Sequence, residues 1–350
     1  MLPRGRGLRV LRGFAFGWSA VLAGWLACSS SLAAELHETR PLMGTVVEIT
    51  VEDDAASANP RLRPALEAAY QEMVRLSDMM NHYSPTSVVS AINVAAGIQP
   101  VPVPPELMRV LQMAQGVSER SHGAFDITVG SLRGWRFNSA QPAMPSPDQI
   151  AAQLPLVNYR AVKLDERAGT AFLQRQGMRI DLGGIAKLVI LDAGIQALKR
   201  HGVSNAMING GGDVAVSGLS RGRPWRVGVR DPRQPDRLLG VLAVTRGLVA
   251  SSGDYERYFE RDGRRYHHIL DPQTGYPTQG PHGVTLVADD VRRLNGLGAA
   301  IMVMGASEGR RLIERTPGLD GLIVYRDGSV WQTPGMARRL QAGAGDAPTH

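Results

Sequence analysis

The sequence predicts an α+β fold, with mixed α/β layers in which largely antiparallel sheets pack against helices. Three observations lead to this fold class. Amphipathic helical segments and short alternating strands follow one another without the strict β-α-β rhythm of a parallel sheet. The 350 residues include 40 glycines and 22 prolines but only 5% aromatics, a composition typical of many turns and short elements. A hydrophobic fraction of 43% supplies enough apolar material for a sizeable core.

Each element follows from a local pattern. Residues 45–51 alternate between polar and apolar side chains and predict a strand, whereas 61–80 and 105–120 have the apolar spacing of amphipathic helices. Later strands are predicted at 161–164, 170–174, 179–182, 206–208, 214–217, 225–229, 241–244, 248–251 and 284–288. Later helices are predicted at 184–200 and 292–304. The pattern ends with a hairpin of 322–325 and 329–332 that turns at Asp327-Gly328.

The N-terminal residues 1–33 are typical of a secretory signal peptide. Arginines between positions 4 and 12 precede an apolar stretch at 14–27, and Ser31-Leu-Ala33 fits a cleavage site. We therefore expect export to the periplasm, with two tethers left open, namely an uncleaved signal or a lipid on Cys28. Cys28 is the only cysteine, so its removal with the signal would exclude disulfides, zinc–thiolate sites and a cysteine nucleophile from the mature chain.

The positive charge does not indicate a nucleic-acid partner. The net charge of +7 comes from 39 Lys and Arg against 32 Asp and Glu, and the excess is spread along the chain. A nucleic-acid site would need a clustered basic stripe interleaved with aromatic residues, and the sequence has none. We expect a solvated basic surface.

The segment Asp181-Leu-Gly-Gly-Ile-Ala-Lys187 carries the first chemical signal. A strand is predicted to end at Asp181, two glycines follow, and a helix begins with Lys187 in its first turn. The glycines allow a ligand close to the backbone, and the helix N-terminus offers free N–H groups beside a lysine charge. This pattern predicts a diphosphate site, although a plain strand–turn–helix capped by Asp181 explains it equally well. It matches neither the Rossmann nor the P-loop fingerprint.

Three further segments have chemically suggestive patterns. Asn209-Gly-Gly-Gly-Asp213 predicts either close packing of backbone on a ligand or a glycine-rich hairpin turn. Gly123-Ala-Phe-Asp126 places an aromatic ring beside a carboxylate, which is compatible with framing a flat ring and with ordinary core packing. His267 and His268 precede an Asp-Pro turn, where a histidine can act as a general base near neutral pH. Because adjacent strand residues point to opposite faces, one metal ion is a poor match for both, and we expect His267 to be packed.

Taken together, these segments resemble the ApbE family of FAD:protein FMN transferases. The resemblance runs from about residue 42 to 305 and rests on seven segments in the family's order. They are Met43-Gly-Thr45, Tyr83-Ser-Pro-Thr-Ser87 with Asn93, Gly123-Ala-Phe-Asp126, Asp181-Leu-Gly-Gly-Ile-Ala-Lys187, Gly210-Gly-Gly-Asp213, Ser252-Gly-Asp-Tyr255 and His268-Ile-Leu-Asp-Pro272.

The resemblance implies an ApbE/T-fold-like architecture and a reaction. FAD is split at its pyrophosphate, the FMN half moves to a Thr or Ser hydroxyl of a target flavoprotein, and AMP leaves. The implied base is His268, and Mg²⁺ neutralises charge. The implied FAD-binding residues are Met43, Tyr83, Ala124, Phe125, Asp126, Asp181, Lys187 and Ile269, and the implied metal positions are Gly184, Asn295 and Ala299. The acceptor is expected to be a respiratory or redox membrane protein.

The implied metal positions depart from the family that the chain resembles. Its members usually carry Asp-Ala-Leu-Ala-Thr at this place. This chain has Asn295-Gly-Leu-Gly-Ala299, so a carboxylate becomes a neutral amide and a hydroxyl is lost. Leu188 also stands where the family has glycine, next to the expected ligand. Two alternatives to transfer therefore stay open, namely an FAD-binding protein with impaired turnover and an FAD pyrophosphatase that uses water as acceptor.

These observations divide the chain into three parts. Residues 1–33 are the predicted signal peptide, 36–336 the flavin transferase domain, and 337–350 an Ala/Gly/Pro-rich flexible tail.

Overall fold

A computed structural model describes residues 34–53 and 60–342 of the chain. The predicted signal peptide and residues 343–350 of the predicted tail lie outside the described residues. No helix in the described part is long and apolar enough to cross a membrane.

The described residues contain sixteen strands and nine α-helices. The strands are β1 (Ala34–Leu42), β2 (Thr45–Asp53), β3 (Val101–Pro102), β4 (Val162–Asp165), β5 (Thr170–Leu173), β6 (Asn205–Gly210), β7 (Asp213–Ser217), β8 (Trp225–Asp231), β9 (Gln234–Val244), β10 (Arg246–Gly253), β11 (Tyr258–Arg261), β12 (Arg264–His267), β13 (Gly283–Ala288), β14 (Asp320–Val324), β15 (Val330–Gln332) and β16 (Leu340–Gln341). The helices are α1 (Leu62–Met80), α2 (Val88–Val94), α3 (Pro105–Arg120), α4 (Pro147–Gln153), α5 (Ala186–Arg200), α6 (Val291–Leu294), α7 (Leu297–Met304), α8 (Ala306–Glu314) and α9 (Pro334–Arg339). Short 3₁₀ helices lie at Ile127–Ser131, Leu154–Leu156 and Tyr159–Ala161.

An eight-stranded sheet in the order β1-β2-β6-β7-β10-β13-β14-β15 forms the centre of the fold. All of its pairings are antiparallel. Two three-stranded sheets, β16-β9-β8 and β3-β5-β4, and the hairpin β11-β12 complete the strand pairing of the described residues. These pairings are antiparallel as well, so the predicted fold class is confirmed.

The central sheet lies between two hydrophobic cores because alternate residues of a strand point to opposite faces. In β7, Ala215 belongs to the core shared with α1, α5 and α7, whereas Val214 and Val216 belong to a second core. The second core is closed by residues of β8 and β9, among them Trp225 and Leu242. Each face of the sheet is therefore covered, one by helices and the other by the sheet β16-β9-β8.

Helix α5 links the sheet to the rest of the helical layer. It packs on β6 and β7 on one side and against α1 on the other. Gly194 sits at this contact, where an added Cβ would lie 2.8 Å from both Ile208 Cδ1 and Met73 Sδ. The close fit fixes the position of α5, and with it the N-terminus that carries Lys187.

Two sequence predictions are wrong in an informative way. Residues 179–182 form no strand. The side chains of Asn93 and Ser131 bond the backbone of 179–180, and the N–H of Asp181 donates to the carbonyl of Ile127, so no strand neighbour is paired there. The helix predicted over 292–304 is two helices, α6 and α7, separated by Asn295 and Gly296. Gly296 has a φ of 74°, a left-handed conformation that ends helical continuation.

The chain stays ordered past the predicted start of the tail. Helix α9 continues to Arg339, and β16 pairs with β9 through Leu340 and Gln341. The folded domain therefore extends to residue 341, five residues beyond the predicted boundary at 336.

Candidate active site

The loop that leads to Lys187 is held by buried side chains. Asn93 accepts the N–H of Ile180 at 2.7 Å and donates to its carbonyl at 3.1 Å, so one amide imitates a strand neighbour. The Ser131 hydroxyl accepts the N–H of Arg179 at 2.9 Å. Asp181 then turns the chain, because its Oδ1 accepts the N–H of Gly183 at 2.7 Å. Helix α5 begins at Ala186, so Lys187 lies in its first turn, as predicted.

The two glycine-rich segments meet through an ion pair. Lys187 Nζ lies 2.9 Å from Asp213 Oδ2. Asp213 follows a tight turn in which Gly211 and Gly212 have φ angles of 63° and 90°, a conformation that favours glycine. Its Oδ1 accepts the N–H of Ser251 at 3.1 Å, which fixes the carboxylate on the central sheet. The hairpin interpretation of residues 209–213 is therefore correct, and the hairpin contributes a charge to the site.

Phe125 contacts Gly184, a predicted metal position, and Gly296, the residue that follows another predicted metal position. An added Cβ at Gly184 would lie 3.2 Å from Phe125 Cε2, and one at Gly296 would lie 3.3 Å from Phe125 Cζ. The ring thus packs against both glycine backbones. Next to it, Asn295 Nδ2 donates to the carbonyl of Ile185 at 2.7 Å. Asn295 thus contacts the residue after Gly184, at the break between α6 and α7.

His268 follows β12 and lies among cations. Its backbone N–H donates to the carbonyl of Arg257 at 3.1 Å. Burial, together with the nearby charges of Arg257, His267 and Lys187, lowers the pKa of His268 to about 3. Its Nδ1 is buried without a hydrogen-bond partner among the described residues. The imidazole is therefore neutral near neutral pH.

His267 is packed, as predicted. Only 1% of it is exposed, its Nε2 lies 2.9 Å from the carbonyl oxygen of Thr278, and burial lowers its pKa. The two adjacent histidines thus have different surroundings.

Asp181 has a histidine partner that the sequence interpretation missed. His82 Nδ1 lies 3.2 Å from Asp181 Oδ1. Burial by itself would raise the pKa of Asp181, but the hydrogen bond and charge of His82, the N–H of Gly183 and the charge of Arg257 lower it overall. The carboxylate is therefore ionised. His82 directly precedes the predicted residue Tyr83 in the chain, and this adjacency is the signal that could have found it.

The other predicted FAD-binding residues differ in how exposed they are. Tyr83 is 82% exposed, with its ring centroid 3.9 Å from that of His82. Met43 forms the β1–β2 turn with a φ of 55° and packs partly on the main core. Ile269 is buried. Leu188 is also buried in that core, so its side chain does not occupy the ligand side of the helix N-terminus.

The segment containing Ala124 and Asp126 is held by the Asp126 carboxylate. This group accepts hydrogen bonds from the N–H and hydroxyl of Thr128 and from the N–H of Tyr159, at 2.6 to 2.8 Å. Burial raises the pKa of Asp126, although each of these three hydrogen bonds acts to lower it. The carboxylate therefore stabilises the loop that carries Phe125.

The metal positions do not fit an ordinary Mg²⁺ site. Asn295 Oδ1 is buried with no hydrogen-bond partner in the described part of the chain, so one neutral oxygen is free to bind a cation. Ala299 supplies no donor atom. The described residues contain no cluster of three or more His, Cys, Asp or Glu side chains that could hold a metal. Mg²⁺ prefers carboxylate oxygens and loses water reluctantly, so this donor set is insufficient without oxygens from a ligand.

Comparison with known proteins identifies the family. The model of the ApbE family matches residues 43–323. The chain belongs to the ApbE family. It is 30% identical over 341 residues to the FAD:protein FMN transferase of Treponema pallidum, covering 92% of this chain and 93% of the relative. It is 33% identical over 264 residues to a Klebsiella pneumoniae protein of the same name, covering 75% and 82%.

Solved ApbE structures have the same fold. The ApbE protein from Thermotoga maritima superposes with a TM-score of 0.80 at 34% identity, covering 88% of this chain and 100% of that one. The flavin transferase ApbE from Vibrio cholerae superposes with a TM-score of 0.76 at 26% identity, again covering 88% and 100%. The antiparallel α+β architecture described above is therefore the ApbE fold.

Proposed function

We propose that this chain is an FAD:protein FMN transferase, which moves FMN from FAD to a Thr or Ser hydroxyl of an acceptor flavoprotein and releases AMP. The observation that carries the proposal is the set of groups around the N-terminus of α5. A neutral His268 lies close enough to the charges of Lys187 and Arg257 for both to lower its pKa. Cations beside a neutral imidazole suit the splitting of an anionic diphosphate.

The reaction is a phosphoryl transfer, which requires positioning, charge neutralisation and an activated hydroxyl. Lys187 and the first-turn N–H groups of α5 are suited to bind the diphosphate. His268 is proposed to take the proton of the acceptor hydroxyl. Its low pKa makes it a weak base before FAD binds, and the negative charge of bound FAD would raise its basicity. Phe125, Met43, Tyr83 and Ile269 are proposed to line the FAD pocket.

Direct transfer tests the proposal. The chain without residues 1–33 is incubated with FAD, Mg²⁺ and an acceptor flavoprotein domain, and the acceptor is then weighed by mass spectrometry. A covalent FMN adduct that disappears when the acceptor hydroxyl is removed is the expected result. No adduct, while a related flavin transferase labels the same acceptor alongside, would refute transfer.

A second candidate is an FAD-binding protein with impaired turnover. The substitutions at the metal positions favour it, because Asn295 offers one neutral oxygen and Ala299 none. Calorimetry of FAD binding with and without Mg²⁺ distinguishes the two. Tight binding that Mg²⁺ does not affect, together with no AMP release, would support the binding protein over the transferase.

We further infer a periplasmic protein whose acceptor belongs to a respiratory or redox membrane complex. The basis is the signal-like segment 1–33, with an uncleaved signal or a lipid on Cys28 as the two means of attachment. Fractionation of cells that express the full chain, followed by the intact mass of the purified protein, tests export, cleavage and lipidation together.

A further inference from the structure

The site contains two histidines with opposite electrostatic surroundings. His268 lies among the positive charges of Arg257 and Lys187. His82, in contrast, faces the ionised carboxylate of Asp181 at 3.2 Å. Pairs of titratable groups in opposite environments are typical of acid–base partners in enzymes.

The geometry of His82 leaves one ring nitrogen for a ligand. Its Nδ1 is directed to Asp181 Oδ1, the same oxygen that accepts the N–H of Gly183 at the start of the Lys187 turn. Its Nε2 has no hydrogen-bond partner among the described residues, and 20% of the side chain is exposed. A carboxylate that holds one nitrogen orients the ring and leaves the second nitrogen available to a ligand.

The other groups near His82 agree with this arrangement. The Tyr83 ring packs on the imidazole, with centroids 3.9 Å apart, and limits its rotation. The charge of Arg257 also lowers the pKa of Asp181 and helps to keep it ionised. Asp181 connects His82 to the loop that leads into α5, where the diphosphate is proposed to bind.

We propose that His82, oriented by Asp181, is a second catalytic residue, which donates a proton from Nε2 to the phosphate of the departing AMP. The proposal rests on the proposed transferase function. The acceptor oxygen forms a bond to the FMN phosphorus while the bond from that phosphorus to the oxygen of the AMP phosphate breaks. The hydroxyl proton passes to His268, and the His82 proton passes to the AMP phosphate oxygen. Both histidines then exchange protons with solvent.

The replacement His82→Asn separates proton donation from a positioning role. The asparagine amide can keep the hydrogen bond to Asp181 in the place of Nδ1, but it has no counterpart of Nε2. We expect FAD affinity close to that of the wild type and a single-turnover transfer rate lowered by about 100-fold. The pH profile of the rate should also differ between this variant and the wild type.

Two further variants complete the experiment. His82→Gln also removes the imidazole and should show the same loss of rate and the same change in the pH profile, so it replaces His82→Asn if that variant does not fold. His37→Gln is the matched control, because His37 bonds Thr50 on the hairpin β1–β2 and lies outside the site. It should keep the wild-type rate and pH profile.

Three results would overturn the proposal. A His82→Asn variant with a rate near the wild type would make His82 only a support for Asp181. Weakened FAD binding with an unchanged pH profile would make it a binding residue. A wild-type protein that forms no FMN adduct would remove both the transferase function and this role, whereas wild-type transfer with unaffected His82 variants removes the role alone.

Discussion

Lowering the pH should destabilise the folded protein through His268, and the variant His268→Gln should lack this contribution. The folded protein holds His268 with its pKa lowered from 6.5 to about 3, whereas the unfolded chain has the ordinary value. At pH values between these two pKa values, His268 is protonated in the unfolded state but not in the folded state. The stability contribution is therefore complete above the unfolded pKa and is lost as the pH falls below it.

The size of the effect follows from the gap between the two pKa values. Each pH unit below 6.5 costs about 1.4 kcal/mol for as long as only the unfolded state is protonated. From about pH 7.5 to about pH 5, the loss from this one group is thus about 2 kcal/mol. Other groups titrate in the same interval, but they are shared by the wild type and the variant and cancel in the comparison.

Urea unfolding of both proteins at the two pH values measures the effect. The free energy of unfolding of the wild type should fall by about 2 kcal/mol more than that of His268→Gln. His201→Gln serves as the control for replacing a histidine as such, because His201 is exposed at the end of α5. Equal losses in wild type and His268→Gln would refute the inference that His268 is held neutral by its surroundings.

Three more predictions concern the supports of the site. Asn93→Ala should lower the free energy of unfolding by about 2–5 kcal/mol, because the N–H and carbonyl of Ile180 both lose a buried partner; urea unfolding measures it, and a change under about 0.5 kcal/mol would contradict it. The pair Asn295→Asp and Ala299→Thr should raise the Mg²⁺ affinity of the FAD-loaded protein by about 10-fold or more in calorimetry, and no gain would show that these positions do not limit the metal. Lys187→Met should weaken FAD binding by about 10- to 100-fold, since a charge-assisted contact is lost; an unchanged Kd would place the diphosphate elsewhere.

The sequence predicted correctly those elements whose own hydrophobic pattern indicates a helix or a strand. The alternation in β2 and the apolar spacing in α1 and α3 are such signals, and those elements form as expected. The hairpin β11–β12 was missed although Asp262-Gly263 lies between its strands, with φ angles of 52° and 69°. Its strands are rich in arginine and aromatic residues, so they lack the apolar alternation that predicts a strand.

Contacts between distant residues could not be read from the chain. The Asn93 amide that holds Ile180 is 87 residues away from it, and the Asn295 amide that bonds Ile185 is 110 residues away. The first of these contacts bonds the backbone of Ile180 within 179–182, where the apolar composition predicted a strand. In the fold, side chains and the carbonyl of Ile127 bond that backbone instead of a strand neighbour.

The charges of the site explain how FAD binding and metal binding can diverge in this chain. Lys187 forms an ion pair with Asp213, and the Asp181 carboxylate is paired with His82. Arg257 makes no ion pair within the part of the chain that the structure describes, yet it acts on both Asp181 and His268. An unpaired guanidinium that acts on both residues attracts a diphosphate whether or not a metal is present. Asn295 and Ala299 offer fewer cation ligands than the carboxylate and hydroxyl that the family resemblance implies, but this positive charge is retained. We therefore expect FAD affinity to depend less on Mg²⁺ than turnover does.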